Sequence, residues 1–216
     1  MTDSTPAARL YRLATLLALF TIGYNIVEGI VSVWLGISDD TLSLLGFGID
    51  SFVEVISGLG VLHMLRRVAQ HGGAVRDQFE RRALRITGTA FYLLAAGLVI
   101  TAIINVLTAH VPVTTVWGAV IASISIVSMW LLVHYKVKVG TALNSEAILS
   151  DAKCSRACLH FSLVLLAASL LYELTGIGYL DSIGAIGIAV LAVREGREAF
   201  MVSRGQGCCS CSQERY

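Results

Sequence analysis

Two carboxylates, Asp50 and Glu54, stand four residues apart inside an apolar stretch, in Gly48-Ile-Asp-Ser-Phe-Val-Glu54. On a helix that spacing places both side chains on one face. A charged side chain at the centre of a bilayer costs about 2.5–3.5 kcal/mol, so two together need a cation, protons or water to offset them. The plainer reading is a protonated carboxylate hydrogen-bonded to a neighbouring helix. A cation site explains the pair better, because it uses both acids at once.

A second polar run, Ser150-Asp-Ala-Lys-Cys-Ser-Arg-Ala-Cys158, repeats the arrangement with different donors. Asp151, Cys154 and Cys158 follow an i, i+3, i+7 rhythm and share a face. Two thiolates on that face and two carboxylates on a facing helix supply four donors, the number that a tetrahedral zinc-like ion takes. Thiolate also favours softer ions such as cadmium. Cysteine is equally a small buried hydrophobe, and Cys-x-x-x-Cys alone is more often core packing than a ligand pair. The carboxylates tip the balance, and the expected metal ligands are Asp50, Glu54, Cys154 and Cys158. No catalytic residue and no resident cofactor are expected.

Other polar residues carry weaker expectations. Glu28, in the first apolar stretch, is either a proton carrier or a buried hydrogen-bonded acid. Asp181, near the outer end of the sixth stretch, where it begins, reads as a cap or an interfacial residue. Of the histidines, His71 and His110 fall in connections, His63 and His134 near helix ends, and His160 two positions from the face of Cys158, where it is a spare ligand at best. The tail Gly207-Cys-Cys-Ser-Cys211 suits capture of thiophilic ions, with palmitoylation of Cys208, Cys209 or Cys211 as the competing reading. Five cysteines so placed do not form a disulfide framework and read as thiols.

The elements that must position these residues are membrane helices. Hydrophobic residues make up 56% of the chain and charged ones 14%, against about 25% charged in a soluble domain, and the mean hydropathy is +0.74. Apolar stretches fall at about 10–36, 41–65, 86–109, 113–135, 146–174 and 178–202, each long enough to span a bilayer. The expected fold is an all-α membrane protein of six transmembrane helices. A short segment 1–9 precedes the domain at 10–202, and a Cys-containing tail follows at 203–216. No cleaved signal peptide is expected, since no basic region precedes the first apolar stretch.

Charge order sets the topology. Arg66, Arg67, Arg76, Arg81, Arg82 and Arg85 fill the second connection, Lys136 and Lys138 follow the fourth stretch, and Arg194, Arg197, Arg204 and Arg215 close the chain. The first, third and fifth connections, around Asp39–Asp40, His110–Pro112 and Gly176–Gly178, hold no Lys or Arg. Positive-inside bias therefore puts both termini in the cytoplasm. Lys153 and Arg156 sit in the cytoplasmic half of the fifth stretch, where long stems snorkel or line a wet vestibule. Gly46, Gly48, Gly58 and Gly60, with Gly184 and Gly187, allow close helix approach. The net charge of +1 says nothing about partners, and no nucleic acid is expected among them.

These motifs resemble the cation diffusion facilitator, or cation efflux, family. Thr41-Leu-Ser-Leu-Leu through Asp50-Ser-Phe-Val-Glu54 is similar to the family's second helix with its acidic pair. Asn144-Ser-Glu-Ala-Ile-Leu-Ser-Asp151 is similar to the start of its fifth, which normally continues into His-x-x-x-Asp. Asn25 and Glu28 resemble polar positions of the first helix, and Asp181-Ser-Ile-Gly-Ala resembles the opening of the sixth. The resemblance covers about residues 10–202. It departs from the family in two respects. Cys154 and Cys158 stand where His and Asp are usual, and a short tail takes the place of the family's cytoplasmic metal-binding domain, as in its short members.

The resemblance implies a secondary transporter, not an enzyme, that exports a divalent metal cation, zinc or cadmium first, from the cytoplasm. Thiols and carboxylates bind metal deprotonated, which links loading to proton release and suggests proton antiport. The expected setting is a plasma membrane, the inner membrane in a bacterium, with metal ions, protons and the lipid bilayer as partners and homodimerisation left open. Two other readings compete. One is a membrane thiol oxidoreductase using Cys154 and Cys158, which gives Asp50 and Glu54 no task. The other is a membrane metal-binding subunit that holds the ion without moving it.

Overall fold

The computed structural model describes residues 6–71, 78–108, 111–143 and 146–204. The tail cysteines Cys208, Cys209 and Cys211, together with His110 and Asn144, lie outside the described residues. The order is α1 (Pro6–Ser38), α2 (Leu42–His71), α3 (Gln78–Thr108), α4 (Val116–Ala142), α5 (Glu146–Thr175) and α6 (Tyr179–Ser203), the all-helical fold expected. In lipid the backbone must satisfy its own hydrogen bonds, which a helix does within one segment. The chain's two prolines, Pro6 and Pro112, fall at the first turn of α1 and in the α3–α4 connection, so neither interrupts a helix.

The solvent logic of a soluble protein is inverted. Leu93, Ile100, Ile103, Val127, Trp130 and Leu171 are exposed on the outside, while Asn25, Asp50, Ser51, Ser125, Ser162 and Asp181 are buried inside. An apolar exterior of this extent fits a bilayer and not water. Among the described residues, five helices, α1 to α5, are long and apolar enough to cross a membrane. α6 is not one of them, because Asp181, Arg194, Glu195, Arg197 and Glu198 interrupt it. It is packed against α2, α3 and α5 all the same.

α2 is the central helix. It packs against α1, α3, α5 and α6, and 62% of its apolar span is buried, against 28% for α3 and for α4. Small residues bring α1 and α2 together: a Cβ at Gly48 would lie 2.8 Å from the backbone nitrogen of Val33, and one at Gly36 would lie 2.7 Å from that of Leu45. Such contacts replace the hydrophobic drive that lipid removes. On the other side, Gly184 of α6 lets Ala168 of α5 approach, and α2, α5 and α6 meet there.

The three connections without Lys or Arg gather at one end of the bundle. Val113 N donates to Asp39 O over 2.9 Å, and Thr41 Oγ1 donates to Thr114 O over 2.9 Å. The Tyr172 hydroxyl donates to Pro112 O over 2.6 Å. Two helix starts at this end are capped by acids from other helices. Asp181 of α6 accepts from Leu42 N (2.7 Å) and Ser43 N (3.1 Å), and from the Ser43 hydroxyl, at the start of α2. Glu173 of α5 accepts from Thr115 N (2.6 Å) and from the hydroxyls of Thr114 (3.0 Å) and Thr115 (3.1 Å) at the start of α4. Each carboxylate satisfies donors that a helix leaves open and meets the positive end of its dipole.

Candidate metal and proton site

Three acids are buried where α1 packs on α2. Asn25 and Glu28 lie three apart on α1, and Asp50, Ser51 and Glu54 share the inward face of α2. The Asn25 side-chain amide donates to Glu54 Oε2 over 2.9 Å. Glu28 is held at both oxygens, accepting from the Tyr24 hydroxyl at Oε1 (2.8 Å) and from the Ser51 hydroxyl at Oε2 (3.1 Å). Asp50 differs from both. It is fully buried, and among the described residues neither of its carboxylate oxygens has a hydrogen-bond partner.

An acid so placed is costly unless something positive or a proton offsets it. Its neighbours are further acids, with Glu54, Glu28 and Glu195 close enough to act on it electrostatically. Cys158 of α5 is fully buried nearby, within electrostatic reach of Glu54, Glu28 and Asp50. Ser125 of α4 lies next to Glu28 and Cys158, and Ser162 Oγ donates to Ser125 Oγ over 3.0 Å. α1, α2, α4 and α5 thus all contribute to one buried polar cluster. Cys154, half-buried one turn from Cys158, lines a cavity of about 60 Å³ together with Glu54.

All four residues expected as ligands therefore border the same region, Asp50 and Glu54 on α2 and Cys154 and Cys158 on α5. They do not form a closed shell as arranged: among the described residues, no three His, Cys, Asp or Glu side chains come close enough to hold a metal ion together. The donor chemistry fits a divalent ion, but the four donors stand apart as arranged. Neither Cys154 nor Cys158 is in a disulfide. The Asp151 side chain lies outside the described residues.

Several residues sit differently from their sequence-based expectation. His160 is exposed on the outside of α5 while Cys158 points inward, so it is not a spare ligand to this cluster. Lys136 does not follow the fourth helix: α4 runs on to Ala142, and Lys136 is buried with its ammonium donating to Ser155 Oγ over 2.8 Å. Asp181 caps a helix, but that helix is α2 and not its own. Tyr24, Ser51 and Ser125 went unnoticed in the sequence. Of these only Tyr24 carried a signal, the four-residue spacing to Glu28.

No family model matches the chain. It is similar to an uncharacterized transporter of Methanocaldococcus jannaschii, with 27% identity over 180 residues, which make up 82% of this chain and 63% of that protein. The chain thus spans less than two thirds of the relative's length.

Proposed function

We propose that the protein is a secondary transporter that exports a divalent metal cation, zinc or cadmium, in exchange for protons, in the manner of the cation diffusion facilitators it resembles. Asp50 is the observation that carries this reading. Both its oxygens are buried without hydrogen-bond partners among the described residues, beside two more acids and a thiol. A structural acid would be tied down, as Glu28 and Asp181 are. The likeness to a protein named as a transporter supports the same direction.

In this reading Asp50, Glu54, Cys154 and Cys158 give up protons as they bind the ion, and protons arriving from the other side drive its release. Because the four donors stand apart, loading draws α5 toward α2 and unloading lets them separate, an alternating-access cycle around a site within the bilayer. The Arg-rich end of the bundle faces the cytoplasm. Thiol exchange is the poorer account, since a fully buried Cys158 is out of reach of a partner thiol. The deciding experiment is metal flux in sealed proteoliposomes under an imposed pH gradient. Zinc or cadmium movement that collapses with the gradient is expected; metal binding without any flux would leave a binding subunit as the answer.

A further inference from the structure

The cavity beside Glu54 is walled by three helix faces toward the Arg-rich end. α3 supplies Thr87, α5 supplies Lys153 and Cys154, and α6 supplies Glu195 and Glu198. On α6 the lining positions 195, 198, 199 and 202 follow the helical repeat, so both acids line the cavity, Glu195 half-buried and Glu198 at its exposed rim, while Arg194 and Arg197 are exposed and do not line it. The acids of an otherwise mixed-charge segment are thus sorted to the cavity. A volume of about 60 Å³ has room for several waters at roughly 10–15 Å³ each.

Burial rises in steps along this wall. Glu198 and Lys153 are exposed, Glu195 and Cys154 half-buried, Thr87 and Glu54 buried, and Asp50 beyond them is fully enclosed. Thr87 is independent evidence for a ligand. It is 3% exposed, and its hydroxyl oxygen has no hydrogen-bond partner among the described residues although it lines the cavity. Buried hydroxyls ordinarily have partners.

We propose that this cavity is a waiting site, where a divalent cation on its way to Glu54 and Asp50 is held by Glu195 and Glu198 with Thr87 Oγ1 as a neutral donor. The proposal rests on the transport reading and adds a second site to it. Among the described residues no three acidic, thiol or imidazole groups converge here, so the ion keeps most of its water and is held loosely, as suits a site that must pass it on. Lys153 shares the wall. A monovalent ion offers the two carboxylates no more charge than that ammonium, whereas a divalent ion brings twice as much. Glu54 borders both the cavity and the inner cluster and is the point of transfer.

Two measurements on the full chain test this. In proteoliposomes, Glu195→Gln with Glu198→Gln should raise the KM for zinc or cadmium flux about tenfold and leave kcat near that of the wild type, a split that a misfolded protein does not give. By equilibrium dialysis with Cd²⁺, carried out with all five cysteines changed to Ser so that neither the inner nor the tail thiols bind the ion, the Asp50→Asn, Glu54→Gln protein should retain one weak site, and adding the two α6 substitutions should remove it. Should the double variant fail to insert, Thr87→Val and each single Gln substitution take its place, with a smaller rise in KM expected. An unchanged KM, or no Cd²⁺ retained when the inner acids are neutralised, overturns the waiting site. A wild-type protein that moves neither ion defeats the transport reading instead, and the dialysis then decides the cavity by itself.

Discussion

The Asn25 amide donates to Glu54 Oε2 across 2.9 Å, so the first helix holds one of the expected ligands, while nearby Asp50 has no hydrogen-bond partner among the described residues. An ion that takes Glu54 has to compete with this bond or use the other oxygen. Partners that orient a ligand are commonly worth 10–100-fold in metal affinity. Asn25→Ala should therefore raise the KM for metal flux by about tenfold, with the protein still folded. Unchanged kinetics would mean that the bond serves only helix packing.

Asp50→Ala should abolish flux without harming the fold. The carboxylate makes no hydrogen bond among the described residues, so its removal breaks none and relieves a buried acid. Thermal unfolding in detergent should be unchanged or shifted upward, alongside normal membrane abundance. Flux at the wild-type level would remove Asp50 from the site, and a large loss of stability would mark it as structural.

The two cysteines should separate by access and then by ion preference. Cys154 is half-buried at the cavity and Cys158 fully enclosed. A small water-soluble thiol reagent should label Cys154 first, and cadmium should slow that labelling. Cys154→His with Cys158→Asp should weaken cadmium relative to zinc, because nitrogen and oxygen donors are harder than thiolate. Changing both to Ser should impair both ions. If flux rate and ion preference survive both pairs of substitutions, the cysteines are packing residues.

Asp181 gives a prediction about stability. Its three hydrogen bonds at the start of α2 tie α6 to the helix that carries Asp50 and Glu54. Asp181→Ala leaves buried donors unsatisfied, at about 1–3 kcal/mol, and should lower the unfolding temperature in detergent. Asp181→Asn keeps an acceptor oxygen and should recover part of the loss. Equal stability of all three proteins would show that the cap does not matter.

What the sequence could reveal depended on the range of the interaction. The four-residue spacing of Asp50 and Glu54 put them on one face, and the structure shows them both on the buried face of α2. The alternation of Arg-bearing and Arg-free connections foretold that the first, third and fifth would meet at one end, as the hydrogen bonds between the first and third and the close approach of Gly178 to Val111 show. Asp181 could be read only as a cap, because its partners lie 138 and 139 residues away. Lys136 looked like a loop cation since lysines cluster at membrane borders; its burial depends on Ser155, which one strand of sequence does not place beside it. Gly29 and Gly36 of α1 escaped notice because a glycine in an apolar helix shows its purpose only when the facing backbone is known.

The charges along α6 bear on how the protein is assembled. Arg, Lys and Asp each add about 2.5–3.5 kcal/mol to insertion when placed mid-helix, and α6 carries Asp181, Arg194, Glu195, Arg197 and Glu198 within one helix. On its own such a segment partitions poorly into lipid. In the bundle Gly196 sits against Gly88 of α3, Phe200 stacks on Tyr92, and Asp181 reaches the donors of α2. These contacts make the integration of α6 an expected cooperative step: a chain whose α3 cannot dock should leave α6 stranded outside the bilayer, with Glu195 and Glu198 away from the cavity.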